Sequence, residues 1–212
     1  MAKRLVIYFL GMVSVSLGIV LCAQCGLGIS PISSIPFVIK EFTPLTFGSL
    51  TMLFHLVNIS LQMVLMKKIS DIKVLLQVPV AFMFGWQIDL IKSFITIDQS
   101  NLLMKVVALL LSIFFTAFGM VLMVNMNLVQ NPPDGFVKIS AEVFKKEFGN
   151  VKIIYDVCCV LISIGIGMIV LHQPFGMGIA TLASALFVGR LVTIFNKILG
   201  SRLRGQDLIL KN

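Results

Sequence analysis

Apolar residues run along the chain in six long stretches, separated by polar connections. The stretches are Leu5–Cys25, Ser49–Met66, Val74–Ile95, Leu102–Met126, Val151–Leu171 and Met177–Leu199. A helix that crosses the hydrocarbon core needs roughly 20 mostly apolar residues, since each residue rises only about 1.5 Å. Each stretch is close to that length, so the pattern predicts six transmembrane helices. The first stretch follows Lys3 and Arg4 but is too long for a signal-peptide core, and no small-x-small cleavage site follows it. A lipobox at Cys22 fails because Leu21 stands where a small residue is needed.

Two connections are longer than the rest, Gly26–Gly48 and Asn127–Asn150. Each carries a short helical piece, beginning at Ser30-Pro31 and at Asn131-Pro132. Ser and Asn are good helix caps, and proline is favoured at the first helical position. A span therefore ends, the backbone breaks, and a short helix starts. In the first piece Ile32, Ile35, Pro36, Ile39 and Phe42 share one face, and the piece could be re-entrant. In the second, Phe136, Ile139, Val143, Phe144 and Phe148 do so, with Lys138, Glu142, Lys145 and Lys146 elsewhere. That one reads as an amphipathic helix in the inner interface.

The two halves of the chain resemble each other. At an offset of 101, Gly18, Val20 and Leu21 fall on Gly119, Val121 and Leu122, and Leu27 on Leu128. Pro31 falls on Pro132, Glu41 on Glu142, and Phe47-Gly48 on Phe148-Gly149. With three further residues inserted, Gly85 falls on Gly189. Fixed-offset similarity signals a duplicated unit. Three spans per copy, an odd number, require the copies to be inverted in the membrane, as in many secondary transporters. The expected fold is an all-α polytopic membrane protein of two inverted three-helix repeats. Each repeat carries a short broken or interfacial helix after its first span. Residues 1–100 form the first repeat, 101–200 the second and 201–212 a basic tail, all one integral domain.

Composition narrows this further. The chain has 212 residues, 58% hydrophobic and 12% charged, with mean hydropathy +1.03. Soluble domains carry about 25% charged residues, so a soluble or disordered protein is excluded. The net charge of +8 would suggest nucleic acid in a soluble chain. Here it sets orientation, because cytoplasmic loops collect Lys and Arg. Thirteen of the 17 basic residues fall on one side of the six-span arrangement. They are Lys3, Arg4, Lys67, Lys68, Lys73, Lys138, Lys145, Lys146, Lys152, Lys197, Arg202, Arg204 and Lys211. Lys40, Lys92 and Lys105 fall on the other side, and Arg190 lies within a span. Both termini are thus expected in the cytoplasm.

Polar groups inside spans are costly and mark candidate function. Asp156 and Arg190 both lie toward the inner face, where they could form an ion pair. His55 and Asp89 lie toward the outer face; with Asp156 and Arg190 they are gate or proton-relay candidates. All four could instead reach water at the interfaces or bond a neighbouring helix. The breaks offer unpaired N–H groups suited to an anion or a polar head. Ser30, Pro31, Asn131, Asp134, Asn125 and Asn58 are the substrate-binding candidates there and on the adjoining spans. A plain capped turn is the alternative. Cys22-Ala-Gln-Cys25 lacks a thioredoxin-like context, and the four cysteines read as packing residues. No catalytic motif, metal-ligand cluster or cofactor signature appears, so an enzyme is not expected.

Gly26-Leu27-Gly28-Ile29-Ser30-Pro31 after the first span resembles the start of the YitT/YczE-like family of bacterial integral membrane proteins. Pro132-Pro133-Asp134-Gly135 resembles that family's Pro-x-Asp-Gly element. The likeness covers roughly Leu5 to Leu199. Ile32 stands where relatives often carry an aromatic residue, and Asn131 where they often carry Gly. The resemblance implies a multi-pass protein of the bacterial cell membrane with undetermined function. Together with the repeats it leads to the expectation of a small secondary transporter or permease for a polar or anionic solute, as monomer or homodimer. The alternative is a non-transporting accessory, scaffold or substrate-capture subunit. The bilayer is the expected partner; nucleic acid is not.

Overall fold

The computed structural model describes residues 2–67, 71–173 and 175–209. Lys68 and Lys211 of the basic count lie outside these, as do the side chains of Arg202 and Arg204. Among the described residues the chain is helical with no strand. Six helical segments are long and apolar enough to cross a membrane: Ala2–Gln24, Phe47–Met66, Ile72–Phe94, Leu102–Met126, Phe148–Leu171 and Ile179–Gly200. These match the six expected stretches and are consistent with a multi-pass membrane protein.

The elements are α1 (Ala2–Gln24), a 3-10 turn (Pro31–Ser33) running into α2 (Ser34–Lys40), α3 (Phe47–Met66), and the pair α4 (Ile72–Leu75) and α5 (Gln77–Phe94). α6 (Leu102–Met126), α7 (Pro132–Phe144), α8 (Phe148–Ile166) with a π turn at Gly167–Leu171, and α9 (Ile179–Ile209) complete the chain. The third span is split because Pro79 lacks the N–H that would bond the carbonyl of Leu75. α6 has the expected bounds at both ends. Asn101 Oδ1 accepts from Leu103 N and Met104 N, and Asn127 closes the helix in the left-handed region at φ 47°. α9 runs on through the expected tail to Ile209.

α1 and α6 form the central antiparallel pair. In hydrocarbon, helices associate through close packing and hydrogen bonds more than by a hydrophobic drive, so small residues gather at crossings. Gly11 meets Gly119 here, where a Cβ on Gly11 would lie 2.9 Å from the Gly119 carbonyl oxygen. Ser14 Oγ donates to Phe115 O at 2.8 Å across the same seam. α5 lies beside α1, held by Ser16 Oγ to Gln87 Oε1 (3.0 Å) and Gln24 Nε2 to Ile95 O (2.6 Å). α9 lies beside α6, where Asn125 Nδ2 donates to Asn196 Oδ1 at 2.8 Å.

The short helices cross between the halves. α2 packs on α3 and α8, while α7 packs on α3 and α8 from the other end. Ser34 Oγ donates to Cys159 O (3.2 Å), and Ser163 Oγ returns a bond to Ser34 O (3.1 Å). On the other side Gln62 and Gln77 exchange two amide bonds of 2.9 Å, and Gln62 Nε2 also donates to Pro132 O at 3.0 Å. The first half of α7 is thereby buried inside the bundle, with Pro132, Pro133, Gly135 and Val137 covered. This corrects the expectation that α7 lies flat at an interface. Only its second half, with Lys138, Glu142 and Phe144, is exposed.

Candidate functional site

Both backbone breaks reach the middle height of the bundle. Ser30 and Ser33 from the first, and Asn131 and Asp134 from the second, line one cavity of about 70 Å³. The remaining wall comes from Ile32 and Pro36 of the first break and from α1 (Val15, Ile19), α3 (Thr51, Phe54, His55), α5 (Phe84) and α6 (Thr116, Met120). That space holds a few water molecules or one small solute. The mostly apolar wall makes each polar atom in it conspicuous.

His55 is 3% exposed, and its Nδ1 has no hydrogen-bond partner among the described residues. Its ring stands edge-on to Phe84 at 5.5 Å. A buried polar atom left unpaired costs about 1–3 kcal/mol, so its retention calls for an explanation. Asn131 caps nothing with its side chain; Nδ2 instead donates to Asp134 Oδ2 at 3.3 Å. That bond fixes the amide orientation, since the flipped form would set two oxygens against each other. Asn131 Oδ1 and Asp134 Oδ1 are buried and make no hydrogen bond. Lys152 Nζ lies 4.0 Å from Asp134 Oδ1 and 2.6 Å from Asp156 Oδ1.

The breaks present few free N–H groups. Pro132 and Pro133 supply none at the start of α7, and Gly135 N bonds back to Asn131 O at 2.8 Å. Pro31 supplies none at the first break, and Ser33 N is taken by Ser30 O. The expected anion cradle is therefore mostly absent, and the second break adds a carboxylate.

Of the expected binding residues, Ser30, Asn131 and Asp134 line the cavity, with Pro31 buried behind Ser30. Asn58 and Asn125 do not. Asn58 Oδ1 accepts from Tyr155 OH at 2.8 Å, and Asn125 ties α6 to α9. Of the gate candidates only His55 lies in the cavity. The Asp156–Arg190 pairing is not formed; Lys152, one turn before Asp156 on α8, is the partner, and Arg190 is exposed on α9. Lys152, expected in a cytoplasmic connection, sits within α8. Asp89 caps α3, accepting from Gly48 N (2.9 Å) and Thr46 Oγ1 (2.5 Å). Sequence reasoning missed Ser33, Thr51 and Thr116. Thr51 stands one turn before His55, a spacing that puts both on one helix face.

A wider vestibule of about 800 Å³ opens where α1 ends, lined by Gln24, Lys40, Glu41, Lys92 and Gln99 among others. Phe37, Phe47 and Phe175 line it too. Phe37 meets Phe47 edge-on at 5.8 Å and stacks on Phe175 at 5.6 Å. Phe37 adjoins Pro36, and Phe47 lies one turn before Thr51, both cavity residues. The three rings thus form one aromatic cluster on the vestibule wall. Gly28 holds the adjoining loop at φ +104°, and a Cβ there would fall 2.6 Å from Gly178 N. Ile29 N bonds Gly176 O, and Ala180 N bonds Leu27 O, which clamps the loop to the connection before α9.

No curated protein and no solved structure matches the chain. A family model described as a family of unknown function, DUF6198, matches residues 2–197. The chain belongs to the DUF6198 family.

Proposed function

We propose that the chain is a small secondary carrier for a small polar solute, bound in the cavity where the two breaks meet. One observation carries this reading: Ser30, Asn131, Asp134 and the unpartnered His55 converge at mid-height in a six-span bundle. Solute sites of carriers lie there, between repeats and at discontinuous helices. The cell membrane, with both termini cytoplasmic, belongs to the same proposal and rests on the placement of Lys and Arg. So does the YitT/YczE-like likeness, which rests on Gly26–Pro31 and Pro132–Gly135.

Inverted repeats are part of the proposal, and paired contacts support them. Gln24 bonds residue 95 across α1 and α5, and Asn125 bonds residue 196 across α6 and α9. Residues 24 and 125 differ by the sequence offset of 101, while residue 196 lies one turn before residue 199, the counterpart of residue 95 at the offset of 104 that aligns Gly85 with Gly189. Ser34 packs against Ser163 at one break, while Gly135 packs against Gln62 at the other. Those positions are again 101 apart. One contact breaks the symmetry. Gly48 and Gly85 press α3 onto α5, whereas a Cβ on Gly149 or Gly189, their counterparts on α8 and α9, would meet nothing within 4 Å. Two halves with the same potential contact, one made and one open, suit a carrier that alternates between them.

Reconstitution tests the reading. Purified chain in liposomes should speed the flux of at least one small polar solute from a panel of ammonium, methylammonium, urea, glycerol, formate and acetate. The rate should saturate with concentration. His55→Phe should abolish that flux while leaving the thermal unfolding midpoint unchanged or raised, since a phenyl ring keeps the packing on Phe84 and removes the unpaired nitrogen. Equal flux in protein-free liposomes for every solute would refute the carrier.

A further inference from the structure

We infer that the cavity selects a small N–H cation, an ammonium ion or short primary amine; the inference rests on the carrier reading for its site, not for its chemistry. The polar atoms of the lining residues that lack a hydrogen bond decide the class. Asn131 Oδ1 and Asp134 Oδ1 are buried acceptors with no hydrogen bond, the latter 4.0 Å from Lys152 Nζ, and a carboxylate or an amide oxygen cannot donate. The amide of Asn131 keeps its nitrogen on Asp134 Oδ2, which leaves its oxygen as the free end. His55 Nδ1, buried and unpartnered, adds a third open site, an acceptor in one neutral tautomer. A cavity that offers acceptors is completed by a donor.

Charge points the same way. Lys152 is shared by Asp134 and Asp156, which leaves this group one negative charge in excess. Among the described residues, Asp134 is the charged side chain that lines the cavity. α1, α5 and α6 contribute Val15, Ile19, Phe84, Thr116 and Met120, and α2 contributes Pro36. Lys40, Glu41 and Lys92 line the separate vestibule, and Asp89 is occupied in capping α3. On α8 the facing groups are Lys152, Tyr155 and Asp156, and Tyr155 OH is spent on Asn58. A monocation balances the excess. The prolines at both breaks supply no N–H at the first helical positions, which leaves fewer donors for an anion. A volume of about 70 Å³ admits ammonium or methylammonium.

Equilibrium binding tests this without requiring transport. The probes are ammonium chloride and methylammonium chloride, compared with sodium chloride and tetramethylammonium chloride at matched ionic strength. The readout is the thermal unfolding midpoint of the purified full chain in detergent, which rises with any ligand that binds the folded state. Ammonium and methylammonium should raise it in a saturable way; sodium and tetramethylammonium, which have no N–H donor, should not. Asp134→Asn should weaken the apparent affinity by about tenfold or more, as expected for a lost charge-assisted bond. Arg190→Gln, on the exposed face of α9, should leave it unchanged. Should Asp134→Asn fail to fold, the ranking of the four salts on the unsubstituted chain still decides. Equal stabilisation by all four salts, or none by any, would overturn the inference. Stabilisation by formate in place of ammonium would do so too. Binding without flux of any panel solute would instead remove the carrier reading and leave a capture protein for the same cation.

Discussion

Gly48→Ala should strongly destabilise the protein, while Gly149→Ala, its counterpart in the second half, should leave it stable. A Cβ at Gly48 would overlap the carbonyl of Gly85 and lie 2.6 Å from Asp89 Cγ, so α3 and α5 must part. Overpacking of this kind costs about 1–3 kcal/mol, and backbone-to-backbone overlap falls at the upper end. The same change also strains the cap that Asp89 places on Gly48 N. At Gly149 nothing lies within 4 Å of the new methyl, and replacing glycine in a helix gains about 0.8–1 kcal/mol of propensity. Thermal unfolding of the two variants in one detergent measures the contrast. If α8 and α9 close on each other during transport, the pair Gly149→Leu and Gly189→Leu should fold normally and yet block flux. Unimpaired flux in that pair would remove the alternation between halves.

Lys152→Met is the second large effect expected. It leaves Asp134 and Asp156 sharing a site without a cation, with each carboxylate only about a fifth exposed. Removing one partner from such a group costs about 2–3 kcal/mol, because the remaining charges stay desolvated and repel. Asp156→Asn added to Lys152→Met should restore most of that loss, and Arg190→Gln should restore none. A double-mutant cycle on unfolding free energy reads the coupling directly. Coupling of Asp156 to Arg190 in place of Lys152 would refute this arrangement.

The six spans were legible because length and hydropathy alone decide whether a helix can cross a membrane. α6 was read to the residue since its caps, Asn101 and Asn127, stand where the apolar run stops. The third span was read as one apolar run, and its division into α4 and α5 at Pro79 was not. At the site, Ser30, Asn131, Asp134 and His55 were each visible as polar groups at a break or inside a span. Their meeting was not visible, since it depends on how far each chain re-enters before its helix begins. The Asp156–Arg190 pairing failed for a related reason. Position along a helix gives depth but not the side of the bundle faced, whereas Lys152 at i−4 faces Asp156 on any helix. Thr51 was passed over because hydroxyls in helices commonly bond the carbonyl one turn back, as Thr51 does with Phe47 O at 2.8 Å.

Cysteine accessibility at Ser33 tests the central claim most directly. Ser33 lines the cavity and lies within the first break. The Ser33→Cys variant would be prepared in a background with Cys22, Cys25, Cys158 and Cys159 replaced by alanine. Reconstituted in liposomes, it would be exposed to a membrane-impermeant methanethiosulfonate from one side and then from the other. The account predicts labelling from each side in turn, slowed by the bound solute. Labelling from one side only, or from neither, would contradict a site that opens alternately to the two faces of the membrane.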